Sequence, residues 1–170
     1  GQLSAQIEAG VIVGALGKYT LVIMASNGIQ FFLVLPLFLL ARGLNPIDVF
    51  KKMSPAIAVA LFTKSSAGTL PVTLASAEKN LKADPAVSRF VLPICTTINM
   101  NGCAAFILIT SLFVMQNAGI ELSMTTMLTW LIVAVLAAVG NAGVPMGCYF
   151  LTLSLMSVSG APIGIMGLIL

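Results

Sequence analysis

Lys64-Ser65-Ser66-Ala67-Gly68-Thr69-Leu70-Pro71 and Gly140-Asn141-Ala142-Gly143-Val144-Pro145 are two versions of one pattern: small, polar and helix-breaking residues set inside apolar sequence. A simple membrane anchor would run unbroken through such positions. Breaks of this kind expose backbone, and in lipid that is tolerated only where the backbone faces protein, water or a ligand.

The composition around the two stretches fixes the solvent. Hydrophobic residues make up 59% of the 170 and charged residues 8%, with a mean hydropathy of +1.09, against about 25% charged in an ordinary globular domain. The expectation is a multi-pass integral protein of the cell membrane, the inner membrane in a bacterium. The net charge of +3 carries no nucleic-acid reading, because the few bases lie in loops rather than along one face. Twelve of the thirteen charges fall in residues 1–89, and only Glu121 follows. Cys95, Cys103 and Cys148 sit in apolar segments of a chain without histidine, so neither a metal site nor a disulfide is expected from them. An intramembrane hydrolase built on Ser65 or Ser66 is excluded on similar grounds. Lys64 is adjacent to those hydroxyls in sequence rather than facing them, and nucleophile and base must meet geometrically.

Tyr19 to Ala41 is apolar for 23 residues, enough for one transmembrane helix that tolerates Pro36 and stops at Arg42-Gly43-Leu44-Asn45-Pro46. Two basic loops follow, one with Arg42, Lys51 and Lys52, the other with Lys79, Lys82 and Arg89. The positive-inside rule places both in the cytoplasm. The segment between them must therefore enter and leave on one side. Its apolar arms, Pro55 to Phe62 and Leu70 to Ala77, are eight residues each, roughly 12 Å of helix and too short to cross. This predicts a re-entrant helical hairpin with Lys64 to Pro71 at its tip.

Val87 to about Gln116 is long enough to cross but is interrupted by Thr96-Thr97-Ile98-Asn99-Met100-Asn101-Gly102. The loop Asn117 to Ser123 has no basic residue and reads as external. Met124 to Val139, the break at Gly140 to Pro145, and Met146 to Val158 then predict a second hairpin entering from outside. The fold class is thus an all-α membrane protein with transmembrane helices and two oppositely oriented re-entrant hairpins, an inverted repeat with its site near the midplane.

At each tip the first N–H groups of the second arm lack helical partners and carry partial positive charge. Leu70-Pro71 and Val144-Pro145 put proline near the first turn, where its missing N–H costs least. The tips can hold an anionic group such as a carboxylate, with hydroxyls from Ser65, Ser66 and Thr69 and a cation from Lys64. An unwound Thr97 to Gly102 would present free carbonyls together with the Asn99 and Asn101 amide oxygens, hard ligands suited to Na⁺. These features point to a secondary transporter. An ion channel or pore built from re-entrant loops is the alternative; it would need rings of filter carbonyls or charges, and no filter-like run is present in the sequence.

The Lys64 to Thr73 stretch resembles the serine-rich first hairpin of the dicarboxylate/amino acid:cation symporters, the glutamate transporter homologues. Asn99-Met100-Asn101-Gly102-Cys103 is similar to their Asn-Met-Asp-Gly-Thr motif, and Gly140 to Pro145 to their Gly-Thr-Ala-Gly-Val-Pro tip. The resemblance implies a homotrimeric elevator transporter with Na⁺ as coupling ion and no other cofactor. Residues 1–170 would be most of its transport domain: a transmembrane helix at 11–43, a first hairpin at 48–82, a broken helix at 86–118, a second hairpin at 124–158, and the start of a truncated final helix at 162–170. It also implies that Ser65 and Ser66, with the Val144 and Gly147 backbone, hold the substrate carboxylate, and that Cys103 faces the substrate side chain. Cys95, Thr97, Asn99, Met100, Asn101 and the carbonyls of Ala138, Val139 and Asn141 would lie at sodium sites.

Three departures from the family pattern bear on the substrate. Ala67 replaces a serine, Asn101 removes the motif aspartate's negative charge, and Cys103 is a poorer hydrogen-bond donor than threonine. They favour a neutral or sulfur-containing amino acid, or altered ion stoichiometry, over strict glutamate transport. The start at Gly1-Gln2, without methionine or a basic leader, and the nine-residue run Pro162 to Leu170 lead to the expectation of a piece of a longer protein.

Overall fold

The computed structural model describes residues 2–141, 143 and 146–160, with side chains from residue 14 onward. Val144, Pro145 and the expected final helix at 162–170 lie outside the described residues. Every regular element among those described is helical: α1 (Gln2–Ile29), a π-helical turn (Gln30–Val34), α2 (Leu35–Ala41), α3 (Pro46–Thr63), α4 (Ser66–Lys79), α5 (Pro85–Ile98), α6 (Asn101–Asn117), α7 (Met124–Gly140) and α8 (Gly147–Val158).

Two stretches are long and apolar enough to cross a bilayer, Gly14–Ala41 and Pro85–Asn117. The first is continuous apart from the π turn just before Pro36, the local widening that lets a helix carry a proline without a full break. Its apolar side chains point outward: Met24 is 71% and Phe32 77% exposed. Meanwhile Thr110, Ser111 and Thr152 are fully buried. Apolar outside with hydroxyls inside suits a lipid solvent and would be an aggregation liability in water.

The arms of the first hairpin are longer than their apolar runs. Asn45 caps α3, its side chain accepting from the Ile47 N–H at 3.1 Å, so helix begins before the charged turn that carries Asp48, Lys51 and Lys52. The arms are 18 and 14 residues rather than eight. They pack against each other, and the Asn80 side chain donates to the Lys52 carbonyl at 2.8 Å, tying the two open ends together. The second arm in turn packs on α5, where Arg89 meets Glu78 through two bonds of 2.8 and 3.1 Å.

The core is centred on α6, which packs on α1, α7 and α8. Val114, Tyr149 and Met156 form one buried cluster; Met100, Ile107, Ala134 and Ala138 form the other. Tyr19 joins α1 to α6 by a 2.8 Å hydroxyl contact with Thr110 and by stacking on Phe113 at 4.8 Å.

Candidate functional site at the helix breaks

The tip of the first hairpin is built by two residues of opposite conformation. Lys64 takes the left-handed region (φ 50°) and ends α3, its N–H reaching the Ala60 carbonyl at 2.9 Å. Ser65 is extended and begins α4 as its N-cap, with Oγ accepting from the Gly68 N–H at 3.1 Å. Helix therefore starts at Ser66, and Pro71 is its sixth residue rather than a first-turn residue. The Thr69 hydroxyl is spent inside the hairpin, donating to the Ser65 carbonyl at 2.8 Å and lying 3.0 Å from the Thr63 hydroxyl.

The break between α5 and α6 is narrower than the sequence implies. Only Asn99 (φ −95°, ψ 67°) and Met100 (φ −109°, ψ 50°) leave helical geometry. Thr97 remains in α5, its hydroxyl donating back to the Ile94 carbonyl at 2.8 Å, and Asn101 already opens α6. A helix end leaves its last carbonyls without intrahelical partners, so the C-terminus of α5 still brings acceptors to the break.

The second tip closes over this point. Asn141 caps α7 with its N–H directed at the Ala138 and Val139 carbonyls. Gly143 is left-handed (φ +71°) and tightly enclosed: a Cβ there would lie 2.8 Å from the Thr96 carbonyl oxygen, 3.1 Å from the Met100 methyl and 3.4 Å from the Ala67 nitrogen. The Ser65 Oγ donates to the Gly143 carbonyl at 2.9 Å. One glycine thus touches both the first tip and the broken helix, and only glycine fits that conformation and space together. On the far side of the break, Asn27 of α1 stands 3.2 Å from where a Cβ of Gly102 would be.

Beside these contacts lies an open cleft of about 1200 Å³ lined by Lys64, Ser66, Asn99, Asn101, Cys103 and Cys148 among others. Lys64 is the one charged residue in that lining among the described residues, so the cleft favours an anionic group. Thr69 and Cys95 line a separate pocket of about 300 Å³ behind the first tip, which Ser66 also borders. Met100 and Ala138 share a core cluster, and Val139 is 41% exposed. Gly147 is buried as the first residue of α8. Asn141 is 5% exposed, and its Oδ1 is one of two buried side-chain oxygens without a hydrogen-bond partner among the described residues, the other being Ser111 Oγ. An orphaned carbonyl-type oxygen beside the break fits a hard cation ligand.

The cysteines correct the sequence expectation. Cys103 and Cys148 are joined in a disulfide, with Cα atoms 5.5 Å apart, and the Asn141 Nδ2 approaches their sulfurs at 3.3 and 3.6 Å. Only Cys95 is free. Cys103 therefore presents no thiol to a substrate here. Nothing local in the sequence pairs residues 45 apart; the usable signal is that each follows a break by a few residues, in the first turns of α6 and α8. Asn27 and Cys148 also line the cleft, and neither is singled out by motif.

One helical hairpin, α3–α4, and a helix pair, α7 and α8, that packs on α6, with the first tip bonded to Gly143 beside the α5–α6 break and apolar faces turned outward, define an integral membrane protein built on discontinuous helices. The sequence profile of the Sodium:dicarboxylate symporter family matches residues 2–170. The chain is 35% identical to excitatory amino acid transporter 3 of Mus musculus over 159 residues, 92% of this chain and 30% of that protein. It is 37% identical to excitatory amino acid transporter 1 of Ambystoma tigrinum over 146 residues, 85% of this chain and 27% of that one. A putative sodium-dependent excitatory amino acid transporter of Caenorhabditis elegans is 34% identical over 95% of this chain and 32% of its own length. The chain belongs to the Sodium:dicarboxylate symporter family. It spans about a third of the length of the curated relatives it matches, and those relatives are transporters rather than enzymes.

Proposed function

We propose that the complete protein is a Na⁺-coupled symporter of an amino acid or dicarboxylate, and that this chain is most of its moving transport domain. The family and the sodium-dependent relative support the cation-coupled class. The observation that carries the site is the Ser65–Gly143 bond over the Asn99–Met100 break. It puts anion-seeking helix starts beside cation-seeking carbonyls, so substrate and ion occupy neighbouring positions and each screens the other's charge. The second hairpin acts as gate: its Gly143 tip lifts to admit substrate and closes before the domain moves as an elevator within a homotrimer, with the hairpins re-entrant from opposite faces.

Lys64 and Ser66 meet the substrate carboxylate, with backbone of the second tip opposite. Asn99, Asn101 and Asn141 serve the cation with neutral oxygens. Asn101 in place of the motif aspartate and a Cys103 position without a hydroxyl favour a neutral or sulfur-containing amino acid over glutamate. The test is uptake by the complete protein in vesicles with and without a Na⁺ gradient. Asn99→Ala is expected to raise the Na⁺ concentration for half-maximal uptake at least tenfold, and a polar change at the loop residue Glu121 less than twofold. Uptake indifferent to both Na⁺ and H⁺ gradients would remove the coupling claim, and equal effects at Asn99 and Glu121 would remove Asn99 from the site.

A further inference from the structure

We propose that Cys103 and Cys148 form a reversible thiol–disulfide site inside the substrate cleft, oxidised by low-molecular-weight disulfides and reopened by small thiols, whose oxidised form holds the second hairpin shut. The latch part of this proposal rests on reading α7–α8 as a gate. The pairing itself stands on geometry. The two Cα atoms are 5.5 Å apart, inside the range a disulfide spans without backbone movement. Cys103 is the third residue of α6 and Cys148 the second of α8, helices that pack on each other. A bond between them therefore fastens the start of the gate's second arm to the start of the broken helix's second half.

Access and chemistry agree with a regulated rather than a purely structural bond. Both cysteines are half-buried and line the 1200 Å³ cleft, so a molecule of amino-acid size can reach them. Exchange runs through a thiolate, and first-turn positions favour negative charge. The Asn141 Nδ2, at the end of α7, stands within reach of both sulfurs as a donor. Cys95 lines the other pocket and has no such partner among the described residues.

The step balances with the oxidant named. Either protein thiolate attacks one sulfur of the small disulfide, breaks its S–S bond and releases one thiolate, which takes up a proton. The second protein thiolate then attacks the mixed disulfide at the protein sulfur, forms the Cys103–Cys148 bond and releases the second small thiol. Two protein thiols are oxidised by two electrons, and one small disulfide is reduced to two thiols.

The experiment uses the complete transporter, purified and equilibrated with cystamine, a disulfide close to amino-acid size, or with dithiothreitol. Mass spectrometry is expected to find a 103–148 linked peptide only after oxidation. Hydrogen–deuterium exchange at 147–150 is expected to be at least tenfold slower in the oxidised protein, and Na⁺-driven uptake at least tenfold lower, with both recovered by dithiothreitol. Cys148→Ser, or Cys148→Ala if the serine variant misfolds, is expected to lose the response to oxidant in both readouts. Absence of the linked peptide after oxidation overturns the site. A linked peptide with unchanged exchange overturns the latch. Loss of uptake in both redox states would count against the transport reading, while the linked peptide and the exchange rates still decide this one.

Discussion

Replacing Gly143 with alanine tests whether the tip-to-tip closure holds substrate. Two costs add. A left-handed non-glycine residue is disfavoured by roughly 1 kcal/mol, and φ at 143 is +71°. The new methyl would also lie 2.8 Å from a backbone oxygen, that of Thr96, which cannot turn aside as a side-chain end does. Overpacking of this kind costs about 1–3 kcal/mol. The closed tip is then destabilised by about 2–4 kcal/mol against an open one, which bears neither the overlap nor the enforced conformation. At 1.4 kcal/mol per tenfold, the closed population falls by about 30-fold to about 700-fold. The complete transporter carrying Gly143→Ala should bind substrate at least tenfold more weakly in equilibrium binding at saturating Na⁺, while remaining folded. Gly140→Ala is the matched control: its Cβ meets nothing within 4 Å, and its φ lies outside the left-handed region. It should change affinity less than threefold. Equal affinities for the two variants would refute the closure, whichever way both moved.

Ser65 has two separable jobs, since its Oγ both caps α4 and donates to Gly143. Ser65→Ala should lower stability by about 1 kcal/mol through the cap and weaken substrate binding as well; Ser65→Asp restores a capping acceptor but cannot donate across the tips, so it should recover the unfolding midpoint and not the affinity. Recovery of both together would mean that the cross-tip bond contributes nothing. At the hairpin's base, the hydrogen bonds from Arg89 hold the Glu78 carboxyl below its usual range. The folded-state value lies below the unfolded one, so the pair's contribution is complete above about pH 4.3 and fades as pH falls through the folded value. The difference in melting temperature between the wild-type protein and Glu78→Gln should therefore close on acidification and shrink with added salt; a difference independent of pH would show that the carboxylate is not what matters.

The breaks were legible because glycine, proline and asparagine stand out against apolar sequence, and helix ends fall at Lys64, at Asn99–Met100 and at Asn141. Their extents were not legible. Helix continues through Thr97 and resumes at Asn101, since a threonine hydroxyl can bond back within its own turn, as Thr97 does to Ile94. Pro71 falls in a second turn because the Ser65 side chain, not the proline, starts the helix. In both places a side chain satisfies a backbone group locally, and composition alone does not say which hydroxyl will do so.

The disulfide and the tip contact were hidden for a different reason. Ser65 and Gly143 are 78 residues apart, and Cys103 and Cys148 are 45 apart; the packing of α5 against α4 and α7 brings the first pair together, and that of α6 against α8 the second. Each local stretch offers capacity: a helix start, a carbonyl end, a thiol, a left-handed glycine. The fold assigns partners. Ser65, expected from sequence to be a substrate ligand, donates to the Gly143 carbonyl of the opposing tip, so in this arrangement its one hydroxyl proton is already engaged. A substrate that took over the Ser65 donor would break the contact that closes the tip. On the proposed reading, a substrate carboxylate is left to Ser66 and Lys64, which line the cleft.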